Sequence, residues 1–181
     1  MYRYDHRTVT ADRSTQEGLM RLHDTVPYTY FLMSKDFTGV LDKLSHQAHS
    51  IADRADAIAD GRKGDTADLC NKMLDVLSKS IDPFRKWGPA HEHECAAIHG
   101  IDRMKDVYRE MMNLGHVYKK LDLVHRQVYM AAKEPPAKAA EVLGQAAIEV
   151  STAHSILKQL HHAWKAYLAM PFVDPGGSTN F

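Results

Sequence analysis

Twelve of the 181 residues are histidines, and several stand in register with carboxylates or a thiol. Asp42, His46, His49 and Asp53 fall at i, i+4, i+7 and i+11. At 3.6 residues per turn these four share one helix face, which Asp56 and Asp60 extend and which lies opposite the segment's apolar stripe. Imidazole and carboxylate ligate zinc and other transition metals, so the set is a candidate metal site. The plainer expectation is a solvated face, because one straight helix turns only two or three such ligands towards one ion. His91, Cys95, His99 and Asp102, at i, i+4, i+8 and i+11, form a second candidate set of thiolate, imidazole and carboxylate. Glu92 and Glu94 beside them need no ligand role, since acidic residues near a helix N-terminus complement its dipole. Pairing of Cys95 with Cys70 is another option for that thiol, although nothing in the spacing brings the two together.

His154 and His161, seven apart, fall within the stripe of Val150, Leu157 and Trp164. Antiparallel pairing across the Pro135-Pro136 turn would set His154 opposite Gly115 and His116, and His161 opposite Tyr108. Core-facing imidazoles must find hydrogen-bond partners. Two readings follow: a polar cluster holding a metal or haem or doing acid–base work, or core-edge histidines bonded to Tyr108, Tyr118 or carbonyls. The paired Glu and Glu-x-x-His ligands of di-iron bundles are absent.

One string, Arg109-x6-His116-x-Tyr118, resembles the Arg-x4–6-His pattern, often followed by x-Tyr, of the HEPN superfamily of helical ribonucleases. The resemblance spans residues 109–118 only. It implies an Arg and a His at a dimer cleft acting on RNA phosphates, with Arg109, His116 and Tyr118 as the candidates. A His moves protons near neutral pH and an Arg stabilises phosphate charge. The sequence departs from the pattern at Glu110, where a polar residue usually follows the Arg and a carboxylate would repel phosphate. Gly-rich phosphate loops, Gly-x-Ser-x-Gly elbows and His-Glu-x-x-His motifs are absent.

The elements that must position these residues all read as helices. Pro27, Gly61–Asp65, Asp82-Pro83, Gly88-Pro89 and Glu134–Pro136 divide the chain into blocks with apolar residues every three or four positions, and no strand alternation appears. A first helix is expected from about Ser14, where Glu17 completes a capping box, to Thr25. Pro27–Met33 is expected to pack irregularly. A second helix should run from a Ser34 cap to about Asp60, and a third from Asp65 or Thr66 to a stop or kink near Asp82. A fourth should open after Pro89 and reach Ala132, with Asn113-Leu114-Gly115 a candidate break. The last should span Ala137 to about Met170. The fold class is all-α: an antiparallel bundle of four to five helices with one long helix that can kink. Residues 1–170 form a single domain, 1–33 partly irregular, and 171–181 an extended tail.

Composition narrows the function. Lys and Arg (23) balance Asp and Glu (23), which argues against a dedicated nucleic-acid binder. No apolar run is long enough to span a membrane and no signal peptide opens the chain. Two cysteines make no disulfide framework, so a reducing interior is expected: the cytoplasm, or alternatively an organelle. The expected role is a non-catalytic subunit working through protein–protein contacts or self-association in a larger assembly. Three features carry that expectation: apolar flanks on the fourth block (Ile98, Val107, Leu114, Val117), aromatics at Tyr2, Tyr4, Tyr28, Tyr30 and Phe31, and the tail's Phe172, Val173 and Phe181. The alternative is a histidine-based metal-binding protein or enzyme, the ribonuclease included.

Overall fold

Phe37, Leu41, Leu44, Ala48, Ile51, Ala52 and Ala55 are all buried, and their three- and four-residue spacing lays them along one side of a helix. In the computed structural model, which describes residues 26–98 and 102–169 (side chains excepting 26–33, 83, 86–98 and 103), that helix is α1, Val26–Ala59. It begins well before the expected Ser34 cap, and 27–33 is helical, not irregular. Pro27 suits a first turn, where its missing N–H costs no hydrogen bond. Ser34 therefore lies within the helix and is fully buried. The expected helix at 14–25 lies outside the described residues, as does the tail.

α1 ends on a Schellman motif. The Arg62 N–H donates to the Ala57 carbonyl at 3.0 Å and the Gly61 N–H to that of Ile58 at 3.1 Å, with Gly61 at φ 107°. Gly64 then passes so close to Ile58 that an added Cβ would sit 2.5 Å from its Cδ1. Asp65 caps α2 (Thr66–Ile98) by accepting the Ala67 N–H at 2.9 Å. α2 does not stop near Asp82 but continues through Pro83 and Pro89. An interior proline costs about 3 kcal/mol. Leu69, Met73, Val76, Leu77 and Ile81 before Pro83 and Phe84 after it are buried on one stripe, and that shared burial offsets the loss.

Residues 90–98 thus complete α2 instead of opening the fourth block. After a 3-10 turn at Asp102–Met104 comes α3, Lys105–Ala131, which runs unbroken through Gly115. Among the described residues only Gly61 has positive φ, so no left-handed cap forms at Gly115. A turn in which Glu134 N–H reaches the Ala131 carbonyl leads to α4, Pro136–Ala169, within a residue of the expected bounds at each end. Long helices are present, since α1, α2 and α4 each have 33 or 34 residues, but the long run expected from Pro89 to Ala132 is divided between α2 and the 27-residue α3.

The described residues form an up-down-up-down four-helix bundle. Each helix packs on the next, α4 closes on α1, and α2 meets α4 across the core. Edge-on rings tie the first three helices together, Phe37 to Phe84 at 5.4 Å and Phe84 to Tyr118 at 6.4 Å. Along α4, buried Ala139, Ala140, Ala146, Ala147 and Ala153 give way to Leu157, Leu160, Trp164 and Tyr167. Small residues let the helices approach at one end of the bundle, and large ones fill the other. Val107, Leu114 and Val117, expected to spare apolar surface for a partner, are buried inside, because α3 has two flanking neighbours to satisfy.

Candidate functional site

Four of the histidines, His46, His49, His154 and His161, gather on the seam between α1 and α4, the bundle's closing contact. Ser34 Oγ lies 2.9 Å from His161 Nδ1. Asp42 Oδ1 lies 4.0 Å from His154 Nε2. Ser151 Oγ sits 2.9 Å from both Ser45 Oγ and His49 Nε2. Residue numbers fall on α4 as they rise on α1, so these contacts form a polar ladder along an antiparallel pair. His154 and His161 were expected to face α3 near His116 and Tyr108; they face α1 instead. Their spacing correctly places both on one side of α4, but that side borders two helices, and Ser34 and Asp42 supply the polar partners.

Asp42, His46, His49 and Asp53 are all exposed, as one shared face requires. They engage different partners. His46 Nδ1–H donates to its own helix at the Asp42 carbonyl, 2.8 Å away, and lies 3.7 Å from Asp42 Oδ1, while His49 turns to Ser151. With Ser45, Asp53 and Arg54, the two histidines line an open groove of about 530 Å³ over the seam. Among the described residues no group of three or more His, Cys, Asp and Glu side chains is gathered to hold a metal ion. Of the second candidate set, His91 and Cys95 lie on the α2 backbone without described side chains, His99 lies outside the described residues, and Asp102 is exposed in the 3-10 turn.

Cys70 is a fully buried free thiol. Burial, and secondarily the negative charge of Asp65, pushes its pKa above the ordinary value. Pairing with Cys95 is ruled out within one chain: both stand on α2, 25 residues and therefore about 37 Å apart along the axis, far beyond disulfide reach.

Arg109 and His116 lie on one exposed side of α3, about 10 Å apart along the helix. Arg109 is engaged by two carboxylates, Asp106 at 3.4 Å and the buried Glu110 at 3.3 Å. Tyr118 is turned more than half a helical turn from His116 and packs its half-buried ring on Phe84. The three residues of the string therefore do not meet at one point within the chain. His125, further along α3, bonds across to α2 at Ser78 Oγ, 3.3 Å away.

The chain matches no protein-family model, no curated protein and no solved structure. Among the described residues no helix is long and apolar enough to cross a membrane.

The sequence offers Met104, Met111, Met112 and Met130 as adaptable core filler; Met104 and Met111 are buried, but Met112 and Met130 lie on the surface. The outward side of α3 exposes Met112, Leu123 and Met130 by 41, 54 and 65%, with Tyr129 beside them at 67%. These residues are interleaved with His116, Lys119 and Arg126, so the segment reads as a charged, solvated side. The signal that finds them is the 3-4 spacing of 112, 116, 119, 123, 126 and 130, half a turn from the buried stripe of Val107, Met111, Leu114 and Leu121.

Proposed function

We propose that this protein is a non-catalytic helical-bundle subunit that works through protein–protein contacts in a larger assembly, using the outward side of α3. The observation that carries the reading is the exposure of Leu123, Tyr129 and Met130, each by more than half, on a helix whose opposite side already fills the core. Leu123 and Met130 stand seven residues apart on that side, the repeat at which one helix seats on another. On the seam between α1 and α4, Ser34 with His161 and Ser151 with Ser45 and His49 bond across the helix pair, which gives these polar groups a structural use. Cys70, a buried free thiol, fits a reducing compartment.

The test compares the native mass of the chain isolated from its own host with that of its Leu123→Glu form. The intact chain is expected in a complex larger than a monomer, and the substituted chain, equally helical, outside it. A compact monomer in both cases would overturn the proposal. The histidine-based alternative has its own readouts on the same samples. A stoichiometric transition metal would favour the Asp42/His46/His49/Asp53 or His91/Cys95/His99/Asp102 sets. RNA cleavage that disappears in His116→Ala would favour the ribonuclease.

A further inference from the structure

Resting on that reading, the geometry points to the kind of partner the α3 surface takes: an acidic amphipathic helix laid along Met112, His116, Lys119, Leu123, Arg126 and Met130. These six exposed residues alternate four and three apart, the spacing at which one helix seats the knobs of another. From Met112 to Met130 the stripe is about 27 Å long, or five turns. Its two ends and its centre are apolar, two of them methionine, whose unbranched side chain adapts to a partner's shape. The positions between are basic or imidazole.

Charge selects the partner. Between residues 112 and 130 the chain carries Lys119, Lys120 and Arg126 against Asp122 alone. Asp122 is already held by Arg126 at 2.7 Å, which leaves the two lysines to a partner. A second copy of the same helix fits poorly. In parallel it would set Lys119 on Lys119 and Arg126 on Arg126. In antiparallel order it would set His116 beside Arg126 and press the Lys119 ammonium onto Leu123. Like charges face to face disfavour the parallel pairing, and an ammonium stranded on an apolar side chain disfavours the antiparallel one. A helix with Leu at the apolar contacts and Glu between them sets apolar on apolar at Met112, Leu123 and Met130 and a carboxylate beside the two lysines, and its association is weakened by salt.

The test uses the full chain and two synthetic five-turn helical peptides. Each carries Leu at its contact positions, one with Glu and the other with Lys at the interleaved sites, and binding is read by fluorescence anisotropy. The Glu peptide is expected to bind at least about tenfold more tightly than the Lys peptide and to weaken as salt rises. Leu123→Asp and the double reversal Lys119→Glu/Lys120→Glu should each reduce its binding about tenfold or more while helicity by circular dichroism is unchanged. Equal binding of the two peptides, no binding of either, or binding indifferent to Leu123→Asp would overturn this partner. So would a salt-resistant dimer of the chain cross-linked through position 123. If the peptides fail while the intact chain still enters a larger complex that Leu123→Glu disrupts, the partner chemistry is wrong and the subunit reading stands. If the complex is also absent, both fall.

Discussion

Ser151 shows how the α1–α4 seam distributes its polar groups: one hydroxyl serves both Ser45, which is buried, and His49, which is exposed. Replacing it by Ala leaves the Ser45 hydroxyl without its cross-helix partner, whereas His49 can turn to water. The expected cost is about 1 kcal/mol in urea unfolding. Most of it should vanish when Ser45→Ala is already present, a coupling that a double-mutant cycle reads directly. Cys70 carries a second expectation at this scale. Its folded pKa is raised by burial, so the native state holds the thiol proton more tightly than the unfolded chain does. Its contribution to stability is fully present below the ordinary thiol value of 9.0 and is lost as pH rises from there through the raised value. Between pH 8 and about 10 the wild-type unfolding midpoint should therefore fall more steeply than that of Cys70→Ala. Parallel slopes would contradict the burial argument.

Elements were legible wherever burial and helix period coincide. Leu41, Leu44, Ala48, Ile51 and Ala55 stand as a plain stripe in the sequence and are buried as one in the bundle. The start of α2 at Asp65 and the span of α4 were equally plain, because caps and prolines at helix starts act locally. What misled was Pro83, a residue that breaks helices by local rules yet lies where apolar side chains on both sides hold the helix to its neighbours, while at Gly115 continuity and not the candidate break is what the helix adopts. Gly61 is the contrasting case, since its positive φ is a backbone requirement and not a tendency. Gly61→Ala should destabilise the chain by about 1 kcal/mol through the α1 cap. An unchanged melting curve would mean that the Schellman turn contributes nothing to stability.

The molecule as a whole assigns a different task to each side of its helices. Its large-residue end centres on Trp164, fully buried with Tyr167 edge-on at 6.1 Å. Trp164→Ala should cost about 3–5 kcal/mol and lower the urea midpoint accordingly. The candidate sites were less legible than the fold, and for one physical reason: periodicity tells which side of a helix a residue occupies, not which neighbour meets it. Thus His154 and His161 share a side of α4, yet meet Asp42 and Ser34, respectively, on α1 instead of α3. Val107, Leu114 and Val117 exceed what one neighbouring helix needs, but α3 packs against two and buries all three. Met104 and Met111 fill the core as their type suggests, whereas Met112 and Met130 fall on the outward side of α3, because the helix period and not the residue type decides which side a methionine takes. The most direct test of the central claim places a photoreactive side chain at 123 or 130 on α3 and, as a control, at Lys43 on the exposed side of α1. Irradiation of the chain in its own host should yield one discrete cross-linked product from positions 123 and 130 and none from 43. Equal yields from all three positions, or no product from either α3 position, would contradict a contact surface on α3.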